Sequence, residues 1–261
     1  MLVVRIATWN VNSLNARLPR LEEWLTIARP DVVCLQETKL SDDAFPTMAF
    51  ATLGYEAIHH GEGRWNGVAI LSRVGIDDVV DGFADSGEHD GEARLLTATC
   101  GGVRVATTYV PNGREVGHEQ WHRKLGWIRR LRAHLDVVAA PEHDVVLCGD
   151  FNVAPDDRDV WDPQRCHGGT HVSPEERLAL TDVVDWGLVD TLRARHDDAE
   201  LYSWWDYQAG AFHKHWGMRI DLLLASRPLA ARLEWVFIDR NARKGSKPSD
   251  HAPLVAQFSA A

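Results

Sequence analysis

Two polar side chains that could do chemistry follow an apolar run near the middle of this sequence. The run 145–148 reads Val-Val-Leu-Cys and predicts a strand over 144–152 that is buried on both faces. Gly149 is expected to end the run, and Asp150 and Asn152 follow at alternate positions. A carboxylate there can take a proton from water, and an amide can donate a hydrogen bond to a charged oxygen. An ordinary Asx turn after a core strand is the alternative interpretation.

Polar side chains recur at the ends of other apolar runs. They are carboxylates, amides, a phenol and an imidazole: Asn10, Asn12, Glu37, Tyr109, Asn112, Asp221, Asp250 and His251. Burying several acids together is costly unless a partner or a cation offsets their charge. Oxygen ligands without cysteine favour a hard ion, Mg²⁺ or Mn²⁺. Zinc is disfavoured because no pair of histidines has the spacing of zinc ligands.

This combination of groups favours hydrolysis of a phosphodiester. A divalent ion and an imidazole can oppose the charge on the phosphate oxygens while a carboxylate activates water. Acyl transfer is disfavoured, since Ser249 adjoins Asp250 without a nucleophile elbow. Nucleoside triphosphate chemistry is disfavoured because the sequence has no glycine-rich loop ending in Gly-Lys-Ser/Thr.

The elements that must position these side chains are mostly strands. Apolar patterning predicts strands at 5–12, 31–37, 55–59, 67–71, 76–80, 95–100, 103–110, 144–152, 219–225, 233–238 and 254–258. Helices are predicted at 18–28, 121–138 and 174–186, and loops at 13–20 and 154–172. Because the strands occur both as hairpins and as strand–helix–strand units, we expect an α/β domain spanning 1–261, with two packed sheets and helices outside them.

The composition narrows the function classes. The 261 residues are 45% hydrophobic and carry a formal net charge of -10, which argues against a non-specific nucleic-acid coat. No apolar run is long enough to span a membrane, and the N-terminus lacks a signal-peptide pattern. The four cysteines are widely spaced and predict reduced thiols in a cytoplasmic protein. The cations of the 121–138 helix, Lys124 among them, are interpreted as a solvent-exposed charged face.

Seven short motifs resemble, in order, the exonuclease III type of AP endonuclease, within the endonuclease/exonuclease/phosphatase superfamily. They are TWNVN at 8–12, LQETK at 35–39, WNGVAILS at 65–72, YVPNG at 109–113, GDFN at 149–152, RIDLLL at 219–224 and PSDHAP at 248–253. The resemblance covers essentially the whole chain. It implies a DNase I-like fold, which is a four-layer α/β/β/α sandwich of two packed mixed β-sheets flanked by helices.

The same resemblance implies a magnesium site, in which Mn²⁺ is expected to substitute. Glu37 would be the main ligand, with Asn10 and Asp250 close to the ion. The wider set of residues around the metal adds Asp150, Asn152 and His251. Asp150 would also orient or deprotonate the attacking water.

The remaining residues of the motifs are implied to bind substrate. Asn152 and Asn112 would contact the phosphate, as would the imidazole of His251, held by Asp221. Tyr109 would contact the phosphate or the leaving group. Asn12 would also contact substrate. An apolar pocket for a sugar without its base would be formed by Trp204, Met218 and Ile220.

The implied activity is a Mg²⁺-dependent DNA repair nuclease acting in base excision repair. Its substrates would be double-stranded DNA with abasic sites or blocked 3′ ends, and its activities 3′–5′ exonuclease, AP endonuclease and 3′-phosphatase. A monomer is expected, and the loop 165–171 is expected to border the site. Local contacts to DNA are predicted for Lys39, Arg94, Arg114, Arg243, Lys244 and Lys247. The alternatives are a phosphoesterase of the same superfamily acting on sphingomyelin or inositol phosphates, and a DNA-binding module without catalysis.

Overall fold

The computed structural model describes residues 3–84 and 91–260. Its strands are β1 Val4–Asn10, β2 Val32–Gln36, β3 Glu56–His60, β4 Val68–Ser72, β5 Asp77–Asp81, β6 Leu95–Cys100, β7 Val103–Tyr109, β8 Val145–Asp150, β9 Leu188–Asp190, β10 Asp221–Ser226, β11 Leu233–Ile238 and β12 Leu254–Phe258. Its helices are α1 Leu14–Ala28, α2 Thr47–Thr52, α3 Glu119–Val138, α4 Pro163–Cys166, α5 Pro174–Val184, α6 Ala211–Lys214 and α7 Arg227–Ala230.

The strands form two six-stranded mixed sheets. Their orders are β11-β12-β1-β2-β4-β3 and β5-β6-β7-β8-β10-β9. Each sheet has one parallel pair near its middle, β1 with β2 and β7 with β8, and the other neighbours are antiparallel. The carboxyl ends of a parallel pair lie at one edge, where an antiparallel neighbour begins. Polar residues at these strand ends are therefore brought together.

Three apolar layers hold four layers of structure together. The inner faces of the two sheets meet through residues such as Ile6, Cys34 and Val146. The outer face of the first sheet packs on α1 and α2, and that of the second sheet packs on α3 and α5. The alternation of side chains along each strand gives both sheets two apolar faces. The predicted α/β/β/α sandwich is confirmed.

Several element boundaries differ from the prediction. Helix α1 begins at Leu14 instead of residue 18, because Leu14 is fully buried in the outer core and Pro19 is tolerated inside the helix. The predicted loop 154–172 contains α4 Pro163–Cys166, and the short strand β9 was not predicted. Both elements are too short to give a periodic pattern.

The cations of α3 do not all face solvent. Lys124 is fully buried, so the interpretation of a uniformly exposed charged face is wrong at this residue.

None of the helices within 3–84 and 91–260 is long and apolar enough to cross a membrane. The cysteines are free thiols, and Cys34, Cys100 and Cys148 are buried.

Gly149 ends the apolar run as predicted but lies inside β8, which continues to Asp150 and stops short of the predicted end at residue 152. The φ angle of Gly149 is 141°, and a Cβ at this position would lie 2.0 Å from the carbonyl oxygen of Thr108 on the neighbouring strand. Only glycine therefore allows β7 and β8 to approach closely next to Asp150.

We expect Gly149→Ala to lower the free energy of unfolding by about 2 to 5 kcal/mol, through the unfavourable backbone angle and the clash with Thr108. Urea denaturation measures the loss. Gly54→Ala is the matched control, since Gly54 also has a positive φ, 83°, but a Cβ added there would meet no atom within 4 Å. Equal losses in the two variants would contradict the close approach at Gly149.

Candidate active site

Three ionisable side chains from separate strand ends meet at one end of the sandwich, where strands of both sheets end or begin. Glu37 follows β2, Asp150 ends β8, and His251 precedes β12. Oxygen and nitrogen atoms of the three, one from each, all lie within 4.8 Å of one another. Residues far apart in the sequence therefore form one cleft, which has the dimensions of a metal site.

The amide of Asn10 links the two carboxylates. Its Nδ2 donates to Glu37 Oε1 at 2.8 Å and to Asp150 Oδ2 at 3.0 Å. Asn10 is fully buried, and its Oδ1 accepts from the backbone N–H of Asn12 at 2.9 Å. The hydroxyl of Ser249 donates to the backbone carbonyl of Asn10 at 2.7 Å, so the end of β1 is fixed from both sides.

The backbone at the cleft is in an unusual conformation. Asn12, Glu37 and Asn152 have φ angles of 42°, 52° and 51°, in the left-handed region that residues other than glycine rarely adopt. Such conformations persist only where neighbouring contacts impose them, and they occur often at functional sites. At Asn152, the backbone N–H donates to Asp150 Oδ1 at 2.9 Å. These left-handed residues lie one or two positions after the ends of β1, β2 and β8.

His251 is held by Asp221 and faces Asp150. Its Nδ1 lies 2.8 Å from Asp221 Oδ2, and its Nε2 lies 3.8 Å from Asp150 Oδ2. Burial opposes the charged imidazole, but the carboxylates of Asp221, Asp150 and Asp250 outweigh it and raise the pKa of His251 to about 10. The ring is therefore an imidazolium, whose Nδ1–H donates to Asp221 and whose Nε2–H faces Asp150. The hydroxyl of Ser203 accepts from the Asp221 N–H at 3.0 Å and fixes that strand start.

Asp150 is a buried acid among other charges. Burial raises the pKa of Asp150 to about 7; the imidazolium of His251 lowers it, and the carboxylates of Asp221 and Glu37 raise it. This environment disfavours a second negative charge beside Glu37 unless a cation joins the group. The carboxylates of Glu37 and Asp150 fit a hard divalent ion, and the Oδ1 of Asn10 is turned toward the Asn12 N–H, so the predicted metal site is represented by the two acids.

Lys39 and Asp250 flank this centre. Lys39 Nζ lies 2.8 Å from Glu37 Oε2 and donates to Asn12 Oδ1 at 2.6 Å. The Oδ1 of Asp250 accepts from Asn12 Nδ2 at 2.9 Å, and its Oδ2 accepts from Trp204 Nε1 at 3.1 Å. Burial works against the Asp250 carboxylate, but His251 and these donors lower its pKa.

The residues predicted to contact phosphate lie beside Asp150. The Nδ2 of Asn152 donates to the carbonyl of Val110 at 2.9 Å, and its Oδ1 accepts from Asn112 Nδ2 at 3.4 Å. Tyr109 ends β7 opposite Asp150. Burial raises the pKa of Tyr109 well above its usual value, and the carboxylates of Glu37 and Asp150 add to this, so it stays a neutral phenol. The guanidinium of Arg94 lies over its ring, at 4.6 Å from the centroid.

The predicted apolar pocket adjoins His251. Ile220 is buried, Trp204 and Met218 are partly buried, and all three pack with Val160 and Val172. Trp204 forms isolated β-bridges with Met218 and with His251. The three residues predicted to form the pocket are therefore packed together next to His251.

Sequence reasoning did not select some residues that hold the site. Ser203 lies in a segment without a motif. His171 was noted only as the end of a bordering loop, yet its Nδ1 lies 2.5 Å from the carbonyl of Asn152. Burial lowers the pKa of His171 to about 4, so its ring is neutral.

The predicted DNA contacts divide into two groups. Arg114, Lys244 and Lys247 are exposed. Lys39 and Arg94 are partly buried, and Arg243 is 6% exposed and donates to the carbonyl of Trp205.

We expect His251 to titrate at about 10 in the protein, and Asp221→Asn to lower this pKa by about 1 to 3, because the neutral amide no longer stabilises the imidazolium. The ¹⁵N NMR shifts of the His251 ring measure it. The pKa of His251 is higher in the folded protein than in the unfolded chain. The pair of His251 with Asp221 therefore contributes its full stabilisation below about pH 6.5, and this stabilisation is lost as the pH rises toward 10. Asp182→Asn, at an exposed position of α5, is the control. An unchanged pKa in Asp221→Asn would contradict the pairing.

Comparisons with known proteins agree with this geometry. The Endonuclease/Exonuclease/phosphatase family matches residues 7–251. The exodeoxyribonuclease III of Haemophilus influenzae is 34% identical over 270 residues, covering 98% of this chain and 100% of that protein. A solved 3′ phosphatase from Neisseria, bound to product DNA hairpin, is 38% identical with a TM-score of 0.95, covering 98% of this chain and 100% of that chain.

A solved AP endonuclease from Archaeoglobus fulgidus is also 38% identical, with a TM-score of 0.95, and both chains are covered over 100% of their length. Matches of this extent, in sequence and in structure, span the residues that form the cleft. This chain therefore belongs to the Endonuclease/Exonuclease/phosphatase family, as a member of the exonuclease III type of AP endonucleases.

Proposed function

We propose that this protein is a Mg²⁺-dependent DNA repair nuclease that hydrolyses phosphodiester bonds of double-stranded DNA at abasic sites and at blocked 3′ ends. One observation carries the proposal. Ligand atoms of Glu37, Asp150 and His251, one from each residue, lie within 4.8 Å of one another at one end of the two packed sheets. This group combines a base for water, a site for a cation and a positive charge for the phosphate.

Asp150 is the proposed base. Its carboxylate is buried next to Asn10 and Asn152, and a pKa of about 7 suits proton transfer near neutral pH. Water attacks the phosphorus, the bond to the 3′ oxygen breaks, and that oxygen takes up a proton. The products are a 3′-hydroxyl on one side of the nick and a 5′-phosphate on the other.

The remaining groups offset the charge that develops on the phosphate. The imidazolium of His251, fixed by Asp221, is aimed into the cleft beside Asp150. The amides of Asn112 and Asn152 lie together at the same edge and can donate to phosphate oxygens. A Mg²⁺ held by Glu37, with Asn10 and Asp250 close to it, would supply positive charge to the non-bridging oxygens. Tyr109, a neutral phenol, would donate to the phosphate or to the leaving oxygen.

The packing of Trp204, Met218 and Ile220 beside His251 supports a substrate that lacks a base, for which these side chains would form the pocket. A flipped sugar without its base presents a small apolar surface, which a closed apolar pocket can accept while a normal nucleotide is excluded by its volume. The names of the matched proteins, an exodeoxyribonuclease III, an AP endonuclease and a 3′ phosphatase, support the activities proposed here. Since the net charge is -10, DNA would be held locally by exposed cations such as Arg114, Lys244 and Lys247.

We expect Asp150→Asn to slow cleavage of an abasic duplex by about 10² to 10⁴-fold, because the amide cannot take the proton from water. Duplex binding should stay within about threefold of wild type in a gel-shift assay, because the surface contacts are unchanged. Asp156→Asn, at an exposed position, is the control and should cut normally. Cleavage by Asp150→Asn near the wild-type rate would refute the proposed base.

We expect EDTA to stop the reaction and Mg²⁺ to restore it. Glu37→Gln should raise the Mg²⁺ concentration for half-maximal rate by at least about tenfold, since the variant loses the charged ligand. Cleavage of an abasic duplex across a Mg²⁺ series measures this, with the exposed Glu175→Gln as control. Full activity in metal-free buffer, or an unchanged Mg²⁺ requirement in Glu37→Gln, would contradict the cation site.

A further inference from the structure

A fully buried ion pair lies behind the cleft and belongs to none of the seven motifs. Lys124 of α3 pairs with Glu176 of α5, and both side chains have 0% exposure. Taking both charges out of water is costly, and hydrophobic residues of similar size can often replace such a pair without loss of stability. We therefore expect this buried pair to have a role other than stabilising the fold.

The ammonium of Lys124 is directed at the backbone that carries two asparagines of the cleft. Its Nζ donates to the carbonyl of Asn152 at 2.6 Å and to that of Asn112 at 3.3 Å, and its third partner is Glu176 Oε1. The three donors of the ammonium are thus all used. A Cβ at Gly113 would lie 3.0 Å from the Lys124 side chain, so the 112–113 turn packs directly on this lysine.

Glu176, the partner of Lys124, also accepts hydrogen bonds from the loop that precedes α5. Its Oε2 accepts from the hydroxyl of Ser173 at 2.7 Å and from the Ser173 N–H at 3.1 Å, which caps α5. Its Oε1 accepts from the N–H of His171 at 3.1 Å and from the hydroxyl of Thr170 at 3.3 Å. The pair therefore joins two helices and three loops at one point.

The contact with Lys124 helps to hold the unusual backbone conformation of Asn152. With φ at 51°, its carbonyl points to Lys124 while its N–H and side chain face Asp150 and Asn112. A left-handed residue other than glycine costs about 1 to 2 kcal/mol, so its neighbours must impose it. The Lys124 ammonium is a charged donor at that carbonyl, and charge-assisted hydrogen bonds are the stronger kind.

We propose that Lys124 and Glu176 are positioning residues, which orient the Asn112 and Asn152 amides toward the scissile phosphate by fixing the carbonyls of the same two residues. The inference rests on the proposed function, in which those amides bind the phosphate. Neither Lys124 nor Glu176 touches the substrate. A displacement of reacting groups by about 1 Å can cost about 10²-fold in rate, so loss of this anchor should be visible in kcat.

The test separates positioning from stability with a double variant. Lys124→Met leaves the Glu176 charge buried without its partner and should be strongly destabilised. Lys124→Met combined with Glu176→Gln removes both charges, and the single oxygen of the new amide can still accept from Ser173, whereas the N–H of His171 loses its acceptor. We expect the double variant to recover much of the lost Tm. Its kcat on an abasic duplex should stay about 10- to 100-fold below wild type, with KM within about threefold.

Leu131→Ala is the matched control. Leu131 is fully buried on the same helix α3 and packs against the second sheet, away from the asparagines. Its truncation destabilises the protein by leaving a cavity, and kcat should stay within about twofold of wild type well below its Tm. Hydrogen–deuterium exchange gives a second readout, independent of activity. Exchange of 110–114 and 151–154 should become faster in the double variant and stay unchanged in Leu131→Ala.

The outcomes are distinct. A kcat of the double variant within about threefold of wild type overturns the inference whatever the exchange shows. A reduced kcat with unchanged exchange in both segments overturns it as well. If wild-type protein cuts neither abasic nor 3′-blocked duplex, the proposed function fails, and the exchange result alone decides whether the pair anchors the two loops.

Discussion

The structure depends on one electrostatic constraint, which is that acidic side chains from distant parts of the chain are buried close together. Glu37 and Asp150 approach across the boundary between the two sheets, and Asp221 and Asp250 lie behind His251. Acids so placed repel one another and lose their hydration. The protein compensates with the amide of Asn10, the imidazolium of His251 and the ammonium of Lys39. Two carboxylates in one cleft remain suited to a divalent cation.

The fold makes this arrangement possible because both sheets have the same internal design. Each has a parallel pair near its centre, and each has an antiparallel neighbour that begins where the pair ends. Asp150 consequently pairs with Tyr109 on one side and with Asp221 on the other. Left-handed residues then turn the chain sharply after the strands, so that Glu37 and Asn152 face the cleft. The strands thus fix where these residues lie, and the left-handed backbone angles help to fix the directions of their side chains.

Much of this could be predicted from the sequence, for physical reasons. Apolar runs such as 145–148 identify buried strands, and a polar residue directly after such a run identifies the edge where the strand ends. Asp150 and Glu37 were found in this way, and the strand–helix–strand order predicted the sandwich. Family resemblance added the individual roles, which remain predictions for each residue.

The rest depends on contacts between distant segments, which no local pattern records. A lysine on a cationic helix is expected to face solvent, yet Lys124 is buried because Glu176 and two backbone carbonyls surround it. Arg243 is similarly buried against the rings of Tyr207 and Phe212. The three residues of β9 are a strand only because β10 lies beside them.

The most direct measurement of the central claim is the location of a divalent ion in crystals of the protein grown with Mn²⁺. An anomalous difference map is predicted to show a peak at coordination distance from the Glu37 carboxylate, on the side that faces Asp150. A map with full Mn²⁺ occupancy elsewhere on the protein and no peak between Glu37 and Asp150 would contradict the claim.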